Sequence, residues 1–180
     1  MRIFAALIAG IATWSLLEYT IHRWLGHDPR FIRNPFGVEH TAHHSRGNYF
    51  APAWKKALAA GGALLLLSWL ATMFVGPRAG IAYSIGLVGF YLYYEGTHYF
   101  EHIHPGLTGW GRWLRRHHFH HHFHDPRSNH GVTSPLWDYA FGTIARPGMI
   151  AVPRKLAMDW LIDPDTGALR NEHAGQYRLR

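Results

Sequence analysis

The sequence predicts an all-α integral membrane protein: a helical bundle with a cytoplasmic, histidine-rich cap. Three observations predict it, namely long apolar segments, the absence of cysteine, and 16 histidines that gather in patterned clusters. The chain has 180 residues, of which 48% are hydrophobic and 15% aromatic. Its length suits a single domain, and its composition excludes general disorder.

Three apolar segments predict three membrane-spanning helices, at roughly residues 3–21, 57–75 and 81–97. The segment 57–75, ALAAGGALLLLSWLATMFV, carries no charge, and as a helix it would span roughly 28 Å, the thickness of a bilayer core. The segment GPRAG forms the tip of a hairpin between the second and third spans. A signal peptide is the alternative for the first segment, and a buried helix of a soluble protein is the alternative for the others.

Three spans place every histidine on one side of the membrane. Of the 18 lysines and arginines, only Arg2 and Arg78 lie on the opposite side. Because basic residues favour the cytoplasmic face, the histidines are predicted to be cytoplasmic and the protein to be multi-pass. The net charge of +7 is explained by this topology, and no module for nucleic-acid binding is present.

Ten histidines fall in four spaced clusters. Without cysteine, disulfides, zinc–thiolate sites and iron–sulfur clusters are excluded, so a metal would need nitrogen or oxygen ligands. Residues three and four apart share one face of a helix. The histidines of every cluster except the first, His22 and His27, have this spacing. Ten neutral imidazoles exceed the need of one metal and suit two, so the cap is predicted to be a di-metal cap; a pH sensor or a loose metal-scavenging tract is the alternative. The ten are His22, His27, His40, His43, His44, His98, His102, His118, His121 and His122.

The first and the last histidine clusters each raise a further question about spacing. His22 and His27 are five residues apart and would diverge on a regular α-helix, so the helix is predicted to end or unwind between them, near Gly26 and the segment HDPR. The run HHFHHH also allows a second H-x-x-H-H register. That register uses His117, His120 and His121.

The order H-x4-H, H-x-x-H-H, H-x3-H and H-x-x-H-H around a hydrophobic hairpin resembles the fatty acid hydroxylase superfamily. This superfamily includes sterol desaturase-like enzymes and fatty acid 2-hydroxylases. The segments LLEYTIHRW and GVTSPLWDYAFGT strengthen the resemblance, which covers roughly residues 14–146. It implies a membrane di-iron enzyme that hydroxylates a lipid C–H bond with O2, with the ten histidines as iron ligands and zinc as a replacement on purification. The family's HHxxHHF pattern favours His118 over His117 as the first ligand of the last cluster.

The resemblance departs from the family at two points. A single span precedes the first histidine pair, and no cytochrome b5-like domain is fused to the chain. Two electrons are therefore expected from an external donor, such as a ferredoxin or a cytochrome b5-like protein, docked at Arg112, Arg115 and Arg116. Anchoring of these arginines to lipid headgroups is the alternative. The alternatives are a carotenoid or sterol oxidase, and a non-catalytic membrane metal-binding protein.

Three carboxylates are candidates for orienting the ligands: Glu18, Glu95 and Asp138. Ligating histidines usually donate their second N–H to a carboxylate or a carbonyl, although solvation of helix ends is the alternative reading. We expect His130 at the surface; a role at the site is the alternative. Residues 1–146 are predicted to form the membrane domain, and residues 147–180 a cytoplasmic extension without chemistry, with an amphipathic piece near 155–162.

Overall fold

The computed structural model describes all residues, Met1–Arg180, and most of them are helical. The predicted helical fold is thereby confirmed in its main part, whereas the two short strands were not predicted. The α-helices and strands, in chain order, are α1 (Arg2–Thr20), α2 (Pro35–Ser45), α3 (Ala53–Val75), α4 (Pro77–Ile103), α5 (Gly109–Phe123), α6 (Leu136–Ala140), β1 (Ile150–Val152) and β2 (Tyr177–Leu179).

A π-helix, Ile21–His27, directly follows α1. The predicted end or unwinding of the helix between His22 and His27 is therefore wrong: the helix widens and continues to His27, with Asp28 as its C-cap. In a π-helix the hydrogen bonds join residues five apart, so those residues lie about one turn apart. The two imidazole rings consequently lie next to each other, with centroids 5.2 Å apart and an interplanar angle of 51°.

Side-chain caps fix where α2 and α5 begin. The Asn34 side chain accepts a hydrogen bond from the Gly37 N–H at 3.1 Å, and Pro35 occupies the first helical position. Thr108 accepts in the same way from the Gly111 N–H at 3.0 Å. The position where a helix begins determines the direction in which each later side chain points. These caps therefore fix the directions of the histidines on α2 and α5.

The chain forms two compact units, residues 1–18 with 51–96, and residues 19–50 with 97–180. Trp14, Leu64 and Leu87 form the apolar core of the first unit. Gly10 and Gly86 allow α1 and α4 to approach closely, because a Cβ at either position would lie 2.1 Å from a carbonyl oxygen of the other helix. Small residues serve this role in membrane helices. Gly61, Gly62 and Gly89, by contrast, face open space.

Two helices are long and apolar enough to span a membrane: Arg2–His27 and Ala53–Val75. Only 6% of the apolar window in α3 is buried within the protein, and Leu65, Trp69 and Phe74 are exposed there. A helix this apolar and this exposed does not suit the core of a soluble protein. The predicted span at 81–97 lies within the long helix α4, which does not meet the same criterion of composition. Three spans therefore stay a prediction.

The second unit contains all 16 histidines and the C-terminal segment. That segment returns on itself, since β1 and β2 pair in parallel with Ile150 opposite Tyr177. In place of the amphipathic piece predicted near 155–162, a 3-10 helix covers only Arg154–Leu156 and turns follow it. The two units do not coincide with the predicted domain boundary at residue 146, which stays a prediction.

Candidate metal centre

The ten patterned histidines lie in two groups of five. The first group is His22, His27, His40, His44 and His121, and the second is His43, His98, His102, His118 and His122. Within each group, one ring nitrogen from each residue lies within 4.8 Å of all the others. The structure thus brings together all ten predicted residues and divides them equally.

Each H-x-x-H-H triplet contributes to both groups. In the triplet on α2, His40 and His44 join the first group, whereas His43 joins the second. The triplet on α5 does the reverse, because His118 and His122 join the second group and His121 the first. Residues four apart point in nearly the same direction, and the residue between them is rotated away. Each triplet thus gives two histidines to one group and one to the other, and the two triplets do so in opposite ways. The same spacing therefore contributes to two neighbouring sites.

The ring nitrogens within a group are close enough to share a cation. The Nε2 atom of His27 lies 2.8 Å from that of His40 and 2.8 Å from that of His121. In the second group, Nε2 of His43 lies 3.0 Å from that of His98. Two ligand nitrogens at about 2.0–2.1 Å from a tetrahedral metal are roughly 3.3 Å apart, so small shifts would accommodate an ion in each group.

Backbone carbonyls hold the outer edge of several rings. The Nδ1 atom of His22 lies 2.5 Å from the carbonyl oxygen of His130, and Nδ1 of His121 lies 2.8 Å from that of Ser128. A ring whose Nδ1–H donates to a carbonyl presents a lone pair at Nε2. The Nε2 atoms of His22 and His122 are buried and have no hydrogen-bond partner. Buried nitrogens of this kind are expected to bind something, and the all-imidazole set fits iron, zinc or copper.

The two groups are in direct contact. The imidazoles of His44 and His122, one from each group, are stacked in parallel at a centroid distance of 3.9 Å and an interplanar angle of 5°. Burial, followed by repulsion between neighbouring imidazoles, holds the pKa of both rings well below the usual 6.5. The same causes lower the pKa of His40, His118 and His121. Neutral imidazoles are the form that binds a metal ion.

Asp138 supports the first group through the backbone. Its carboxylate is fully buried and accepts hydrogen bonds from the N–H groups of His130 and Gly131, both at 2.8 Å, and from the Thr143 hydroxyl at 2.7 Å. The carbonyl of the same His130 contacts His22. Burial raises the pKa of Asp138, but the hydrogen bonds from His117, Thr143 and Gly131 outweigh it and lower the pKa below the usual value. Asp138 thus reaches a ring of the first group only through the backbone of His130, and an orienting role for it stays a prediction.

The other two carboxylates are placed differently. Glu95 forms an ion pair with Lys56, so its carboxylate is engaged there and nothing in the structure supports an orienting role for it. Glu18 is buried, with 4% of its surface exposed, and its role stays a prediction.

The structure also shows where the other histidines and the arginine near the run HHFHHH lie. His117 and His120 lie outside both groups, and Nε2 of His117 lies 3.1 Å from Asp138 Oδ2. His130, which we expected at the surface, is 2% exposed, and its ring lies 5.2 Å from that of His121. This expectation was wrong because a loop, rather than a helix with readable spacing, carries His130 to the site. Arg115, expected on a docking surface, is also buried, at 1% exposure.

The fold and the site define a class of protein: helical, with two apolar candidate spans and two adjoining all-histidine groups suited to metal ions. The particular family follows from comparison with known proteins. The family model described as fatty acid hydroxylase matches residues 7–143. The chain belongs to the fatty acid hydroxylase family, as the sequence motifs indicated.

Curated relatives and a solved structure agree with this assignment. The chain is 34% identical over 149 residues to the ceramide very long chain fatty acid hydroxylase scs7 of Schizosaccharomyces pombe, covering 76% of this chain and 41% of the relative. It is 32% identical to the dihydroceramide fatty acyl 2-hydroxylase FAH2 of Arabidopsis thaliana, covering 81% and 62%. It is 33% identical to the human fatty acid 2-hydroxylase, covering 75% and 38%.

The solved structure is that of full-length scs7p, in which only the hydroxylase domain is visible. It matches with a TM-score of 0.62 and 25% identity, over 81% of this chain and 57% of that one. The chain thus spans about two to three fifths of the length of the relatives that it matches.

Proposed function

We propose that this protein is an integral membrane di-iron hydroxylase that inserts one atom of O2 into a C–H bond of a fatty acyl chain. The observation that carries the proposal is the pair of five-histidine groups, each converging on one point. The names of the relatives, which include fatty acid 2-hydroxylase and dihydroceramide fatty acyl 2-hydroxylase, support carbon 2 of a free or amide-linked acyl chain as the target.

In this proposal each histidine group holds one iron ion, and zinc can take its place during purification because imidazole accepts both metals. The bound iron pair supplies the activation of O2. The reaction consumes the substrate C–H, one O2, two electrons and two protons, and yields the C–OH product and one water. The histidines stay neutral and add no charge to a buried site. The carbonyls of His130 and Ser128, the former held by Asp138, fix the orientation of the His22 and His121 rings.

Labelled dioxygen tests the reaction class. We expect membranes containing the protein, supplied with a reductant system and a long-chain fatty acid or ceramide, to form a 2-hydroxy product that carries one oxygen atom from 18O2. The measurement is the product mass after incubation under 18O2 and, separately, in H2 18O. Label that arrives only from water would replace the oxygenase proposal with a hydration or hydrolysis reaction. Two bound metals without any product would favour a metal-binding protein that is not catalytic.

We also propose that the protein is multi-pass, with its histidine groups on the cytoplasmic side. Two apolar helices and the bias of 16 basic residues to one side of the predicted spans support this topology. A reporter fused at Pro77, in the turn between α3 and α4, is expected outside the cytoplasm, and one fused after Arg180 inside it. Reporters on the same side of the membrane would contradict the three-span arrangement.

The electron donor is proposed to be a small acidic redox protein of the ferredoxin or cytochrome b5 type. Arg112 is exposed on α5. Arg116, one helical turn further along, lines a surface pocket together with Arg146 and Trp113. With Arg115 buried, these three arginines form the remaining basic surface near α5. Positive surfaces of this kind accelerate the encounter with acidic partners.

Charge reversal at Arg112 tests the docking surface. We expect Arg112→Glu to slow reduction of the metal centre by an acidic donor roughly tenfold at low salt and to weaken its salt dependence, because steering is lost. Stopped-flow reduction at several salt concentrations measures the effect, and metal content should not change. Lys155→Glu, a reversal at another exposed position, is the matched control. Equal salt dependence in the wild type and Arg112→Glu would remove this surface from the proposal.

A further inference from the structure

The C-terminal segment packs against the face of α5 that points away from the metal groups. Arg115, Phe119 and Phe123 are spaced four residues apart and form one stripe on α5, all three of them buried. Phe119 and Phe123 share an apolar cluster with Ile150, Val152, Met158, Leu161 and Tyr177 of the C-terminal segment. This explains why a phenylalanine interrupts the histidine run: α5 presents histidines on one side and an anchor for residues 150–180 on the other.

Arg115 ties the C-terminal segment to the end of α4. Its Nε–H donates to the hydroxyl of Tyr177 at 3.1 Å, and its guanidinium lies 4.2 Å from the ring centroid of Trp160. Its Nη1 donates to the carbonyl of His104 at 3.4 Å. A buried arginine needs partners for its donors and its charge, and two of the partners are aromatic side chains of the C-terminal segment.

Trp160 contacts a histidine of the second group directly. Its Nε1–H donates to the backbone carbonyl of His102 at 2.9 Å. Because α4 ends at Ile103, this carbonyl is one of the last four of the helix, which have no partner within it. The indole therefore completes the final turn of α4, on which His102 sits one turn after His98. The ring of Phe119 also lies between the two, 5.3 Å from His102 and 6.1 Å from Trp160.

We propose that residues 150–180 are a positioning cap for the second histidine group, acting through the hydrogen bond from Trp160 to His102. The proposal rests on the proposed metal centre. It concerns a segment beyond the residues that the family model matches, 7–143. The first group receives no such support from the C-terminal segment in the contacts described, because its outer contacts go to His130 and Ser128. The cap should therefore affect one metal ion and not the other.

Trp160→Phe tests the cap, because it removes the N–H donor and keeps an aromatic ring for Arg115 and Phe119. Zn2+ and Co2+ are titrated into the metal-free full-length protein. The titrations are repeated in a His27→Ala background, where only the second group is intact, and in a His98→Ala background, where only the first is. We expect Trp160→Phe to weaken binding to the second group by about tenfold or more and to leave the first group unchanged. The Co2+ absorption spectrum of the second group should shift as well.

Trp110→Phe is the matched control, since Trp110 is 53% exposed and should leave both affinities as they are. Tyr177→Phe, which removes the hydroxyl that accepts from Arg115, is a second variant that should weaken the second group selectively. Unchanged affinity of the second group in both variants would overturn the cap. Equal weakening of the two groups, in step with thermal stability, would also overturn it, since that is the result of a purely structural role. A wild-type protein that binds no metal would instead refute the proposed metal centre itself.

Discussion

His121→Ala is expected to lower the metal content from about two ions to about one per chain and to abolish hydroxylation, because a di-metal oxidation needs both ions. The side chain is fully buried, its Nε2 lies 2.8 Å from that of His27, and its Nδ1 is held by the carbonyl of Ser128. Alanine would leave a cavity where the ligand was and would not restore the missing nitrogen. Elemental analysis of anaerobically purified protein, together with product formation, measures the outcome.

His124→Ala is the control for this experiment. His124 follows α5 directly, is exposed, and belongs to neither group. It should retain both metal ions and the activity. Equal metal content in His121→Ala and His124→Ala would remove His121 from the proposed ligand set.

Asp138→Asn is expected to have the second large effect, on both stability and metal binding. An amide keeps one acceptor oxygen and turns the other into a donor, which would face the N–H of Gly131 or of His130. Losing a charged, buried acceptor of this kind costs about 2–4 kcal/mol of unfolding free energy. Displacement of the His130 carbonyl should also weaken metal binding by the first group about 10- to 100-fold.

Thermal unfolding in detergent and metal titration measure the two effects of Asp138→Asn separately. Asp163→Asn is the matched control, because Asp163 is only half-buried and its side chain accepts only local hydrogen bonds from Asp165 and Thr166. A stable Asp138→Asn protein with normal metal affinity would show that the carboxylate charge is not what holds the His130 loop.

Much of the candidate site could be predicted from the sequence because helical spacing is regular. Residues at i, i+3 and i+4 must lie on neighbouring faces, so the triplets on α2 and α5 could be identified without coordinates. Asp138 was proposed for a chemical reason, since ligating imidazoles need acceptors for their second N–H. In the structure it instead accepts from His117, which lies outside both groups, and from the backbone of His130 and Gly131. The division of each triplet between two groups could not be predicted, because it depends on how separate helices pack.

The errors arose where local sequence does not fix geometry. A five-residue spacing indicated a broken helix, and only tertiary packing selects the rarer π-helix instead. Arg115 looked like a surface charge because arginine is seldom buried, and its partners Trp160 and Tyr177 are 45 and 62 residues further along the chain. His130 and the strand pair β1–β2 are likewise placed by contacts distant in sequence.

The π-helix from Ile21 to His27 also constrains which deletions the protein can accept during evolution. Such a turn contains one residue more than an α-helical turn, and deleting any residue between His22 and His27 would let the backbone relax to the commoner α-helical form. That relaxation favours folding and would leave the two histidines four residues apart on one face of an α-helix. It would also rotate and shift the residues that follow, including the histidines of α2, relative to α1. Selection for heat resistance alone would accept the deletion, whereas selection for activity would reject it. At this π-helix, therefore, thermal stability and activity favour different sequences.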